Sequence, residues 1–255
     1  MYKFQSVHNQ NNSLVSFDLE WTKNYKIKQG NEPFCFSFVA VKDNIEDIND
    51  MDDKLEFSFI ARFVENRSDI ISLIKEADNI LKELWISKLI ITGHQLSSDI
   101  SILIINGEKY NQALDNVRKL RTHWHTRDHL NFNNIRIFDT RYDLEFLLQG
   151  NSRRLVDVCA ECNLLVAQPE ISGSMTKMQN EYYRTSDTMI MEKLMVLNIR
   201  HSLSSALLYL IAKARHKPKR TVNVNKILFH NLNGHFSYIN GGEFKALLSP
   251  NPDYI

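Results

Sequence analysis

The chain has 255 residues, with 31 Lys and Arg against 30 Asp and Glu, for a formal net charge of +1. It is 43% hydrophobic and 24% charged with 8 Gly and 5 Pro, which excludes collagen-like, linker-rich and low-complexity classes. Its near-neutral balance argues against binding nucleic acid by bulk charge alone. The length suits one large domain, or a compact domain with an appendage. No apolar run reaches the roughly 18 residues expected of a membrane helix. The polar start, Met1 to Asn12, lacks the apolar core of a signal peptide. An intracellular, soluble protein without membrane contact is expected.

In chain order, strands are predicted at 13–19, 34–41 and 55–61, with an acidic hairpin loop (43–56) between the second and third. A helix follows from Asn66 to Trp85, then a strand at Lys88–Thr92, a helix at 97–106 and a strand at Arg136–Phe138. Arg121-Thr-His-Trp-His-Thr-Arg-Asp-His129 is read as a loop interleaving cations, histidine and tryptophan. Three readings of it stand: a nucleic-acid contact through Arg121 and Trp124, a histidine metal cluster, or a solvated loop with a packed Trp124. Helices are predicted at 140–148, 152–163, 188–199 and 202–214. Short strand-like pieces follow at 221–229 and 235–239, with a boundary near 218–222. Three strands followed by alternating helix and strand indicate an α/β domain (1–218) with a mixed sheet flanked by helices, and a small C-terminal appendage (219–255).

The 3 cysteines are too few for a disulfide framework. Cys159 and Cys162 form a CxxC, but Leu155, Val158, Cys159, Cys162 and Leu165 share one helical face, so a buried helix stripe is expected. Lys213-Ala-Arg-His-Lys-Pro-Lys-Arg220 concentrates cations at Lys213, Arg215, Lys217, Lys219 and Arg220. It would contact phosphates with salt-sensitive affinity, or form a solvated helix end.

Two carboxylate segments carry the chemistry. In Leu14-Val-Ser-Phe-Asp-Leu-Glu-Trp21 the two-residue period of a strand puts Asp18 and Glu20 on one side, where their repulsion calls for a cation or solvent. In Leu89-Ile-Ile-Thr-Gly-His-Gln-Leu-Ser-Ser-Asp99 a buried strand turns at Gly93-His94 into a helix bearing Asp99, beyond a strand end where α/β proteins place ligands.

These segments resemble the DEDD superfamily of 3′–5′ exonucleases, which have the ribonuclease-H-like fold. Phe17-Asp-Leu-Glu-Trp21 is similar to the family's first motif, Asp-x-Glu. Gly93-His-Gln-Leu-Ser-Ser-Asp99 is similar to its second, and Ile137-Phe-Asp-Thr140 with Arg154-Leu-Val-Asp-Val-Cys159 resembles the connection to its third. The resemblance spans residues 14 to 214 and implies a metal-dependent exonuclease acting on single-stranded DNA, or RNA, with two divalent ions (Mg²⁺ or Mn²⁺). Asp18, Glu20 and Asp99 would be the metal ligands, and His94 would lie beside the nucleic acid.

The third motif departs from the family. One register sets Leu197 in place of a tyrosine and His201 in place of the last aspartate. A second uses His201 with Ala206 where an acid belongs, and a third uses Tyr183 and Asp187. An imidazole there weakens a site for oxygen-seeking Mg²⁺ while Mn²⁺ or Zn²⁺ tolerates nitrogen, and His201 would be a candidate general base. The alternatives are a site that is slow, manganese-dependent or dead, the last being a nucleic-acid-binding module, or a helix histidine with no catalytic part. Phe236-Ser-Tyr-Ile-Asn-Gly-Gly-Glu-Phe-Lys-Ala246 resembles the Tyr-x-Gly-Gly-Arg segment after the exonuclease domain of family B DNA polymerases, with Glu243 near the arginine position. A polymerase module is the implied partner, and the chain ends at Ile255 without room for one, as expected of an excised domain, a truncated product or a stand-alone relative. No Gly-x-Gly-x-x-Gly, Walker A or Gly-x-Ser-x-Gly motif points elsewhere.

Overall fold

The computed structural model describes residues 1–6, 14–24, 30–42, 47–51, 55–128, 136–168 and 173–249. The fold is α/β, consistent with the ribonuclease-H-like arrangement expected. Its six-stranded sheet comprises β1 (Tyr2–Ser6), β2 (Leu14–Thr22), β3 (Glu32–Val41), β4 (Ser58–Phe63), β5 (Ile90–Gly93) and β6 (Ile137–Asp139), in the order β1-β4-β3-β2-β5-β6. The first four strands pair antiparallel, while β5 runs parallel to β2 and β6 parallel to β5. The C-terminal ends of β2, β5 and β6 therefore lie at one end of the sheet. Much of the expected acidic loop falls on residues outside those described.

Helix α1 (Ile70–Ile86) buries Ile70, Leu73, Ile74, Ala77 and Leu81 at helical spacing and packs on β3. Helix α2 (Leu96–Lys109) packs on β2 and β3, with α3 (Asp115–His125) against α1 and α2. Helix α4 (Leu155–Glu161) leads into β7 (Leu164–Leu165), and α5 (Met175–Thr185) precedes α6 (Thr188–Ala214). The α6 helix crosses β2, β3, β4 and β5. Asp18 and Ser37 face it, since Ser37 Oγ lies 2.7 Å from Ser202 Oγ; by alternation Phe17 and Leu19 face away. A stacked Phe17–Phe38 contact, with centroids 4.7 Å apart, seals that other face.

Several expectations are corrected. Residues 188–199 and 202–214 form one helix: Asn198 and Arg200, at the expected break, point to partners on β2 and at Asn225 and do not interrupt it. That helix is long and apolar enough to cross a membrane by length and composition, contrary to the reading that no such run exists. Nearly all of the stretch is buried inside the protein, however, as expected of a helix that is apolar all round. The stretch read as a loop from Arg121 is helical through His125. Residues 140–148 form turns and a short 3₁₀ segment instead of a helix. The pieces read as strands at 221–229 and 235–239 are β8 (Val222–Asn223), α7 (Val224–Leu232) and a 3₁₀ turn at Ser237–Asn240. Asn223 caps α7 by accepting from Asn225 N–H at 2.9 Å, which outweighs the β-branched content of the segment. Strand β1, α3 and α5 are additional to the predicted elements.

The segment beyond 218 shares the core with the rest. Strand β8 pairs with β7, α7 packs on α6, and Phe236 lies 4.7 Å from Phe4 and 6.3 Å from Phe59 between ring centroids. Phe57 N–H donates to Asn231 Oδ1, and Asn231 Nδ2 donates to Leu55 O, at 3.1 and 2.8 Å.

A candidate metal centre between the central strand and the long helix

Asp18 and Glu20 emerge side by side from β2 toward α6, which answers with Leu197, Asn198 and His201 from one face. Asn198 Nδ2 donates to Asp18 Oδ2 at 2.6 Å. His201 Nδ1 donates to Glu20 Oε1 at 3.2 Å and lies 3.7 Å from Asp18 Oδ2, while its Nε2 donates to Gln168 Oε1 at 3.3 Å. With both nitrogens donating, the ring is an imidazolium. Burial opposes that charge, but hydrogen bonds and attraction from Asp18 and Glu20 outweigh it and push the pKa up to about 9. Burial raises the Glu20 pKa, the His201 hydrogen bond opposes it, and the Asp18 charge adds to the rise.

Ligand atoms of Asp18, Glu20 and His201 lie within 4.8 Å of one another, the spacing of a candidate cation site. Asp99 stands outside that trio, 3% exposed on the first turn of α2. Burial, and then the charges of Asp18 and Glu20, hold its carboxyl well above the usual range, opposed by a hydrogen bond from the Leu19 backbone. Its Oδ2 has no hydrogen-bond partner among the described residues. An orphaned, buried carboxylate oxygen facing two further carboxylates is the donor chemistry of a divalent cation, so the residues fit the implied metal.

How Asp99 reaches the site follows from local sequence. A Cβ at Gly93 would lie 2.6 Å from Phe17 O and 2.4 Å from a Leu96 methyl, so only glycine lets β5 end this close to β2. Gln95 then adopts a left-handed conformation (φ 62°), strained for a side chain, and opens α2. Its N–H is held by Asp139 Oδ1 at 2.9 Å. Asp139 is fully buried and also accepts from Trp124 Nε1 at 2.8 Å and Arg141 N–H at 3.1 Å. Burial raises its pKa against those hydrogen bonds. Asp143 accepts from the Arg127 fork at 2.7 and 2.8 Å and from Asp139 N–H at 2.8 Å, and Arg127 stacks 4.3 Å over Trp124. These two acids are structural.

The sites expected for nucleic acid are dispersed. His94 Nε2 donates to Arg153 O at 2.9 Å, and Nδ1 accepts from Thr140 Oγ1 at 3.0 Å, so both nitrogens bind protein. Burial, with the Arg153 hydrogen bond opposing, lowers its pKa to about 4 and keeps it neutral. Trp124 is engaged in the Asp139 network, while Arg121 is exposed on α3. Lys213, Arg215, Lys219 and Arg220 are exposed and Lys217 half-buried at the far end of α6, 12 residues or about 18 Å beyond His201 along the axis. Of the third-motif registers, Leu197 and His201 both line the cleft; Ala206 is core, and Asp187 caps α6 by accepting from Met189 N–H at 2.8 Å. Cys159 and Cys162 are buried free thiols, as the helix-stripe reading expects.

Asn198 and Gln168 are site residues missing from the sequence reading. A cleft of about 430 Å³ opens beside Glu20 and His201, floored by Trp21, Met175 and Leu197. The Tyr-x-Gly-Gly-like segment lies against α6, with Glu243 paired to Lys193 at 2.5 Å and Tyr238 N–H donating to Glu192 Oε2 at 2.7 Å. No family model matches the sequence, and comparison with curated proteins finds no significant match.

Proposed function

We propose that the chain is a metal-dependent 3′–5′ exonuclease acting on single-stranded nucleic acid, a soluble intracellular relative of the proofreading domains of family B DNA polymerases. The observation that carries this reading is the cluster of Asp18, Glu20 and His201 near the C-terminal end of the parallel strands, within the electrostatic reach of buried Asp99 and its unpartnered oxygen. Asp18, Glu20 and His201, with Asp99 behind them, would hold divalent cation. Such an ion, when bound, supplies Lewis-acid stabilisation of phosphoryl charge and a lowered water pKa. Trp21 and Leu197 would flank the terminal base, and burial of the acids would exclude bulk water from the reacting bond. His201, once its proton is displaced, offers nitrogen to the ion, which favours Mn²⁺ over Mg²⁺.

A specific observation favours a second reading, a nucleic-acid-binding module without activity. Asn198 and the His201 imidazolium already satisfy Asp18 and Glu20, as a cation would. A 5′-labelled single-stranded oligonucleotide incubated with Mg²⁺, then Mn²⁺, separates the two. The enzyme reading expects Mn²⁺-stimulated shortening lost in Asp18→Ala. Binding without shortening selects the second reading, and shortening that survives Asp18→Ala removes the assigned site.

A further inference from the structure

A second cavity, of about 470 Å³, adjoins the cleft at Glu20 and His201. It is lined by Thr22, Lys23, Asn24, Glu32, Lys109 and Tyr183, with Arg67 at its rim. Lys23 and Thr176 line both cavities, so one ligand can pass from one to the other without leaving the protein surface. Their chemistry differs. The first has an apolar floor of Trp21, Met175 and Leu197, suited to a base. Among the described residues, the second gathers three cations, Lys23, Arg67 and Lys109, against the single acid Glu32. Glu32 pairs with Lys109 at 2.7 Å and with Arg67 at 3.5 Å, whereas Lys23 is exposed and has no ion-pair partner among the described residues. The cavity thus keeps an excess of positive charge, with Asn24, Asn180 and the hydroxyls of Thr176 and Tyr183 along its walls. Each volume lies in the range of small-ligand sites.

We infer that this second cavity is a phosphate subsite for the nucleic-acid strand: the backbone next to the terminal nucleotide passes Lys23 and lodges between Lys23 and Lys109. The inference rests on the nuclease reading for the identity of its ligand and adds to it a path. Lys23 stands three residues beyond Glu20, just past the end of β2 and roughly 10 Å along an extended chain, so the subsite serves nucleotides after the first and not the reacting phosphate. Glu32 limits the pull of Lys109 and Arg67, which leaves Lys23 as the dominant contact.

The test uses the full chain in EDTA, so that nothing is cut, and follows fluorescein-labelled hexathymidylate and mononucleotide by anisotropy across a salt series. The expected result is tighter binding of the hexamer, a loss of about tenfold in Lys23→Gln, and a drop of about 0.7 in the salt slope for the lost phosphate contact. Glu32→Gln, by releasing two cations, strengthens hexamer binding, an effect that a merely structural role would not produce. Thermal unfolding of each variant checks that it is folded. Hexamer affinity and slope unchanged in both Lys23→Gln and Lys109→Gln overturn the subsite; Mn²⁺-dependent shortening lost in Asp18→Ala would then still uphold the nuclease reading. Lys23-dependent binding with no shortening supports the subsite and removes the enzyme reading. A wild-type chain that does not bind the hexamer overturns both.

Discussion

Two carboxylate pairs stand at the same end of the sheet, and the protein treats them in opposite ways. Asp139 and Asp143 are buried, and each is met by several donors: the Gln95 and Arg141 N–H groups and the Trp124 indole for one, the Arg127 fork and the Asp139 N–H for the other. Asp18 and Glu20 receive one amide and one imidazole, and Asp99 keeps an oxygen with no partner among the described residues. Burying a carboxylate is tolerable when donors repay its lost hydration and expensive when they do not. The first pair is explained entirely by the fold. The second is met by Asn198 and His201, but with Asp99 beside it three acids face one imidazole and one carboxylate oxygen has no partner among the described residues, which leaves a place for an added cation. The two are also linked: Asp139 fixes the strained turn at Gln95 from which Asp99 is presented.

Breaking the structural pair should have the largest effect. Asp143→Ala leaves the half-buried Arg127 guanidinium without its fork, and a loss of about 3–5 kcal/mol is expected in urea unfolding. Acidification should reach the same region through His94. Folded His94 takes its proton only at about 4, while the unfolded chain takes it near the ordinary 6.5. Between those values the unfolded state binds more protons. Stability is therefore complete above about 6.5 and falls by roughly 3 kcal/mol as the pH drops toward 4. Unfolding curves at pH 7 and 4.5 should show the loss, and His94→Gln should flatten that part of it.

The acids of the proposed metal centre should respond in the other sense. Asp18→Asn is expected to lower Mn²⁺-dependent shortening at least about a hundredfold, the scale on which even supporting residues of metal sites act, while leaving the melting temperature nearly unchanged. Asp99→Asn should remove repulsion at a buried, under-partnered position and raise stability by about 1 kcal/mol, while activity falls. A loss of stability in Asp99→Asn would place it with Asp139 and erase the contrast.

Much of this contrast was legible in the sequence, for definite reasons. A strand has a period of two, so Asp18 and Glu20 share a face whatever surrounds them, and Gly93 marks a close approach that glycine alone permits. His201 was legible as the fourth position because it lies four residues after Leu197, one helical turn. Asn198 was not, since a polar residue beside that pair reads as surface until β2 is packed against it. Gln168 was hidden by its distance along the chain. Trp124 was read as a loop residue because its surroundings are polar, although Val117, Leu120 and Trp124 at helical spacing were a usable signal. The length of α6 was obscured by Asn198, Arg200 and His201, whose partners lie far away in sequence.

The most direct test is a calorimetric titration of the wild-type chain and Asp18→Asn with Mn²⁺ at pH 7.5, run in buffers of different ionisation enthalpy. His201 is protonated at that pH, so coordination through its ring nitrogen must expel a proton. Saturable binding with proton release, lost in Asp18→Asn, is the predicted result. No binding, or binding that Asp18→Asn leaves intact, would contradict the assignment of these acids to a metal centre.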